Sequence, residues 1–406
     1  MTRIEFLRSV CPSTAVIDRF LDENTARWAR FDPEVGYVPN DSVMQDGLNG
    51  SWSRYSYEPD GARRCLCYSD RPSRIHTYGD SFTQCHQVSD HETWQEYLAG
   101  HLGEPIRNYG VGGHGVYQAW LRMRRHEARS DEASLLVLNI YLDDHRRNVM
   151  PCRLLHIPAV LAAVERDVAA SAPVALFFHS NPWSHLKPDP VSGGCHEVPN
   201  PLDTPTRLYE LCSPDAIEAL FGRSLSFHVA LIEQGVKDAD LQLIRTHGEA
   251  VGIALETNDA EHLRASAQRI QFVWGMRATQ WVVEQARTFA ESKGRQLLIL
   301  LSHPQRAALN DLAGLPRPDQ ALLDHLEQLG QKRLDSRDLH GAEHRTLGGN
   351  AAGLIAKYFI GHYSPQGNHF FAYAIRETVV GCLQPPPPAY AGSIAGTAGS
   401  LAPRMA

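Results

Sequence analysis

At 406 residues, 43% hydrophobic and 21% charged, the chain has ordinary globular usage and exceeds the size at which one core keeps growing, so one large domain with insertions, or two domains, is expected. A formal net charge of -7 supplies no basic footprint for a phosphate backbone, which argues against nucleic acid as a partner. No run approaches transmembrane length, and the opening MTRIEFLRSVCPSTAVIDRF is broken by Arg8, Pro12 and Asp18 before an apolar signal core develops, so neither a membrane span nor a secretory leader is expected.

The first 73 residues open with a helical stretch and then turn irregular, with FDPEVGYVPN and DGLNGSW rich in turn formers. They read as an N-terminal extension or cap. Five apolar runs follow: RIHTY from Arg74, IRNYGV from Ile106, LLVLNIYL from Leu135, VALFF from Val174 and LLILLS from Leu297. Each reads as a buried parallel strand. Helix-length segments such as ETWQEYLAGHL and VYQAWLRMRRHEA lie between them, and this alternation predicts a doubly wound α/β fold. Ligand crevices in such sheets lie beyond the carboxyl ends of the strands.

The core is expected to comprise 74–184 and 258–383, interrupted over 185–257 by a mostly helical insertion that serves as a lid or as an interface between copies. The long segment DAEHLRASAQRIQFVWGMRATQWVVEQARTFAESKG reads as a lengthened crossover helix. The proline run and small residues of 384–406 read as a disordered tail. Eight cysteines are scattered, with only Cys65 and Cys67 close together and no zinc or redox spacing. The expectation is free thiols in a reducing cytoplasm, with no metal and no cofactor.

Chemistry-bearing residues gather at the strand ends. After the first run, Gly79-Asp80-Ser81 provides a tight turn and a serine at a helix start, where unpaired amides can hold an oxyanion, although Asp80 or Ser81 could equally be a plain cap. After the second run comes the glycine cluster Asn108 to Gly115, which does not fit a dinucleotide fingerprint. The third run leads into Tyr141-Leu142-Asp143-Asp144-His145-Arg146-Arg147-Asn148. Near the end, His362 stands in GHYSPQGN just before an apolar helix, a place from which an imidazole can reach a serine on the first strand's turn. His86, Asp90, His91 and His303 form no recognised ligand spacing and read as polar residues at the crevice mouth.

Read together, these segments resemble the ordered blocks of the SGNH hydrolases, also called GDSL esterases and lipases, from about Arg74 to Thr378. The resemblance implies a flavodoxin-like three-layer α/β/α sandwich with a central five-stranded parallel sheet of order 2-1-3-4-5. It makes Ser81 the nucleophile, His362 the general base, and the amides of Ser81 and Gly113 the oxyanion hole. Two positions depart from the family pattern. Where the third block has asparagine this chain has Asp143, followed by Asp144; an ionised Asp143 could only accept hydrogen bonds, so a displaced role is expected, with His114, Asn139 or Asn148 as alternative donors. Where an acid usually precedes the histidine by three residues this chain has Phe359, so a backbone carbonyl or a carboxylate such as Asp335 or Asp338 must orient the imidazole. Asp80, His114, Trp183 and His185 are candidate substrate contacts, with His196 beside them by location.

The activity these features imply is cleavage of a carboxylic ester or thioester of a small molecule or carbohydrate. The alternatives are an O-acyltransferase using the same serine and histidine, and a ligand-binding protein that kept the scaffold without the chemistry.

Overall fold

The computed structural model describes residues 1–130, 132–170 and 181–391. Its centre is a five-stranded parallel sheet made of β1 (Ile75–Tyr78), β2 (Ile106–Asn108), β3 (Leu135–Tyr141), β4 (Gln296–Ser302) and β5 (Arg333–Asp335). The spatial order is β2-β1-β3-β4-β5, the expected 2-1-3-4-5. Two members differ from the sequence expectation. β3 pairs with β4 along its whole length, from Leu135 beside Gln296 to Tyr141 beside Ser302. LLILLS is therefore the fourth strand rather than the fifth, and the place expected for VALFF is already filled. The fifth strand is Arg333–Asp335, too short and too charged to register as an apolar run. VALFF itself lies outside the described residues.

Alternation along β3 decides what covers each face, because successive side chains of a strand point to opposite sides. Val137, with Ile75, Leu298 and Leu300, meets Leu98 of α2 (Trp94–Leu102) and Phe371 and Ile375 of α6 (Pro365–Val380). Leu136, Leu138 and Ile140 meet the opposite layer, Val116 and Trp120 of α3 (Val116–Glu127) and Val282, Val283 and Ala286 of α5 (Ala260–Ser292). Each fully buried leucine or valine contributes roughly 1.5–3 kcal/mol. The three-layer sandwich thus follows from double-sided burial.

A separate core joins the N-terminal extension to the segment between β3 and α5. Phe6, Ile17, Phe20 and Tyr37 pack with Leu154, Trp183, Leu208, Phe227 and Leu231. The extension holds two helices, Arg3–Ser9 and Thr14–Leu21, and two hairpins, 29–39 and 42–55. The expected helical insertion opens with a further hairpin, His185–Pro188 against Cys195–Val198, and continues in three helices between Pro214 and Ala250. α5 matches the expected lengthened crossover. At its middle, a Cβ on Gly275 would lie 2.2 Å from the His145 carbonyl oxygen, so only glycine lets the short helix α4 (Asp144–Asn148) settle against it.

The segment expected to be a tail is anchored at its start. Arg74 donates to the Pro385 carbonyl at 2.9 Å and Pro387 is buried, while 392–406 lie outside the described residues. Among the described residues no disulfide joins the cysteines, and no helix is long and apolar enough to cross a membrane.

Candidate active site

The turn after β1 is built so tightly that its sequence is nearly forced. Gly79 has φ +157°, and a Cβ there would sit 2.1 Å from Thr83 Oγ1 and 2.6 Å from the Asn139 carbonyl oxygen. Asp80 then caps the single-turn helix α1 (Ser81–Gln84), accepting from the Phe82 amide at 2.9 Å. Asp80, rather than Ser81, does the capping, which leaves the serine hydroxyl available. Gly110 packs on the same helix, where a Cβ would be 2.2 Å from the Gln84 amide nitrogen. Gln84 in turn accepts from the Gly112 amide at 2.8 Å. The glycine loop after β2 is thereby pinned beside Ser81.

His362 arrives from the other end of the chain. A bridge between Phe359 and Tyr363 bends its loop, and Ser364 with Pro365 starts α6 immediately afterwards. The imidazole Nε2 lies 2.8 Å from Ser81 Oγ, across 281 residues of sequence. Ser81 Oγ also lies 3.2 Å from Asp80 Oδ2.

The atom at His362 Nδ1 is Gln87 Oε1, at 2.9 Å, and the same oxygen accepts from the His362 backbone amide at 2.9 Å. Gln87 Nε2 donates to the Asp46 carbonyl at 3.2 Å, which fixes the amide's orientation because a carbonyl can only accept. The oxygen therefore faces the imidazole, Nδ1 carries the proton, and the lone pair of Nε2 points at the serine. This corrects the expectation of a carboxylate from Asp335 or Asp338. Asp335 caps the next helix through the Arg337 amide at 2.9 Å and pairs with Arg317 at 2.6 Å, and Asp338 is exposed on that helix. Gly361, at φ +114°, keeps the approach open: a Cβ there would lie 2.7 Å from Gln87 Oε1.

His362 Nε2 and Ser81 Oγ face a cavity of about 250 Å³ lined also by Trp28, His86, Gly112, Gly113, Arg147 and Arg153. Burial, then the neighbouring positive charge of His86 and Arg147, disfavours the imidazolium and pushes the His362 pKa down to about 3. Behind it stands His86, 5.2 Å away between ring centroids and 3.3 Å from Asp46, which also accepts from the Tyr55 hydroxyl at 2.7 Å. Gly113 has φ +85°, and among the described residues its amide donates to no protein acceptor.

The third block does not place an asparagine in this cavity. Asn139 accepts from Ser302 Oγ at 2.8 Å. Asn148 accepts from the Tyr117 amide at 2.8 Å and donates to Thr279 Oγ1 at 2.8 Å, so both ends of its amide are engaged. His114 is buried against Tyr37 and Trp183 with its charged form strongly disfavoured by burial. The guanidiniums that reach the cavity are those of Arg147 and Arg153.

Arg147 organises the acids around it. It binds Asp144 Oδ1 and Asp143 Oδ2 at 2.7 Å each and the His114 carbonyl at 3.0 Å, and lies 3.9 Å from Asp80. The Asp143 side chain is 54% exposed and held ionised by that guanidinium, outside the cavity lining. Burial raises the pKa of Asp80 and, together with the nearby Asp80 charge, raises that of Asp144 well above the usual carboxylate range.

The other candidate contacts fall elsewhere. Trp183 is buried with its indole nitrogen on the Met150 carbonyl, and His185 lines a separate cavity of about 170 Å³ with Phe221 and Leu225. His196 is exposed on its hairpin. Sequence reasoning missed Trp28, Asp46, Gln87 and Arg153, and named Arg147 within the run after β3 without giving it a role. The nearest signal was the run of cations after β3, since residues at a strand's carboxyl end face the crevice.

A five-stranded parallel sheet with helices on both faces and a serine and histidine at the strand ends defines a class of α/β scaffold that can host hydrolytic or acyl-transfer chemistry. No protein-family model matches the chain, and no curated protein is significantly similar to it. Among the described residues no group of three His, Cys, Asp or Glu side chains is placed to hold a metal ion.

Proposed function

We propose that this chain is a serine esterase or deacylase of the SGNH (GDSL) kind, acting on a carboxylic ester or thioester through an acyl-enzyme on Ser81. The observation that carries the reading is the 2.8 Å contact between Ser81 Oγ and His362 Nε2, with Nδ1 already committed to Gln87. A serine is a weak nucleophile until a neutral base takes its proton, and an imidazole whose pKa is depressed is neutral at pH 7.

In this reading His362 Nε2 removes the Ser81 proton as Oγ attacks the carbonyl carbon. The oxyanion meets the amides of Ser81 and Gly113, with the Arg147 guanidinium supplying the charge that the family's asparagine supplies as a dipole. The imidazolium then protonates the departing alcohol or thiol. Water, deprotonated by the same nitrogen, attacks the acyl-enzyme and releases the acid. Gln87 holds the tautomer throughout.

The test is turnover of nitrophenyl acetate together with labelling by a neutral fluorophosphonate. Ser81→Ala is expected to abolish both while leaving the melting temperature nearly unchanged, because Asp80 caps α1. Unchanged turnover in that variant would reject the assignment.

A further inference from the structure

The cavity at Ser81 shares its two arginines with a neighbouring one. Arg147 and Arg153 also line a second cavity of about 430 Å³, whose walls include Arg146, Arg264, Glu233 and Asp143. Four guanidiniums face two carboxylates there, and the pairing is uneven. Asp143 is taken by Arg147 at 2.7 Å. Glu233 is taken by Arg146 at 2.7 Å, with His156 and Gln268 also on it. Among the described residues neither Arg153 nor Arg264 has a carboxylate within 4.0 Å. Among the described residues Arg153 makes a single hydrogen bond, to the Gly113 carbonyl at 3.3 Å.

Arg147 adds a second sign of an incomplete site. Its side chain is 9% exposed, yet among the described residues its Nε, like that of Arg146 on the same wall, has no acceptor, although a buried guanidinium ordinarily satisfies its donors. A guanidinium withdrawn from bulk water is costly unless an anion pairs with it, so a cavity wall with more guanidiniums than carboxylates suits an anionic ligand. Planar guanidiniums match phosphate and carboxylate oxygens in pairs.

We propose that this second cavity is an anion subsite of the Ser81 site, so that the ester acted upon carries a phosphate or a carboxylate next to its scissile carbonyl. The inference rests on the serine-nucleophile reading for its place in catalysis, but not for the binding itself. Two positive charges close to the reacting carbonyl hold an anionic substrate in register and favour the developing oxyanion, while a bound anion offsets their opposition to the His362 imidazolium. The volume admits a phosphate with several bonded carbons.

The experiment uses the whole chain. Calorimetric titration with inorganic phosphate, and separately with succinate, at low and matched ionic strength reads binding without reference to the serine. Protection of Ser81 against the neutral fluorophosphonate reads proximity. Nitrophenyl acetate against nitrophenyl hemiglutarate reads preference. Phosphate or succinate is expected to bind and to slow labelling at least fivefold beyond sodium chloride, with whichever anion binds more tightly naming the group. The hemiglutarate is expected to exceed the acetate roughly tenfold in kcat/KM, and Arg153→Met to erase that ratio. Arg264→Gln, exposed on α5, is expected to weaken anion binding severalfold and avoids the question of folding. A chain that labels but neither binds nor prefers an anion overturns the subsite alone. A chain that binds phosphate through Arg153 yet never labels overturns the esterase reading and keeps the anion site.

Discussion

Replacing Gln87 by alanine removes two contacts at once, the acceptor of His362 Nδ1 and the acceptor of the His362 backbone amide, each at 2.9 Å. Their effects separate. The backbone bond has the same strength before and during reaction, so losing it costs about 1 kcal/mol of loop stability. The Nδ1 bond strengthens as the ring becomes imidazolium, because a charge-assisted hydrogen bond is about twice as strong as a neutral one, a differential near 1–1.5 kcal/mol. That increment corresponds to roughly a tenfold loss in kcat. Loss of a fixed tautomer adds a further few-fold, giving about 10–50-fold overall. KM should barely move, since Gln87 does not line the cavity.

The companion substitution, Gln87→Glu, places a carboxylate where the amide was. An opposite charge at this distance raises an imidazole pKa by about 1–3 units, so the acid limb of kcat should move upward. The assay is stopped-flow nitrophenol release across roughly pH 3 to 9, with circular dichroism on each variant. A folded Gln87→Ala enzyme with native kcat, or a Gln87→Glu enzyme with an unmoved acid limb, would refute the reasoning.

Other expectations follow from the same geometry. His362 is held neutral by burial and by the charge of His86 and Arg147, so a base with a depressed pKa should keep kcat/KM flat as pH falls through the ordinary 6.5 and lose it only near the depressed value of about 3. A limb centred at 6.5 in the native chain would contradict this. Gly79→Ala forces a Cβ to 2.1 Å from Thr83 Oγ1 at a positive φ and should destabilise the fold by about 3 kcal/mol or more, read by urea denaturation. Asn148→Ala leaves the buried Tyr117 amide near the start of α3 without its acceptor, and should cost about 1–3 kcal/mol in denaturation while kcat on nitrophenyl acetate stays within a few-fold. A large kcat loss with little change in stability would instead assign Asn148 to the oxyanion.

What was legible in the sequence was local. Apolar runs bounded by turn residues marked β1 to β4, and glycine followed by aspartate and serine marked the turn after β1, because strand burial and turn sterics act over a few residues. β5 escaped, since three residues with one arginine and one aspartate carry no periodicity. Gln87 escaped for a different reason. Nothing near it in sequence says that the chain will turn left-handed at Cys85 and again at Gln87, aiming an amide at a loop 275 residues away.

The sequence alone determined the alternating α/β pattern, the serine at a strand's end and the histidine just before the last helix. The tertiary structure decided their meeting, the neutral amide behind the imidazole, and the surplus of guanidinium charge beside the serine. Those depend on which distant elements pack together, and hydrogen-bond geometry and charge balance exist only after that packing is made.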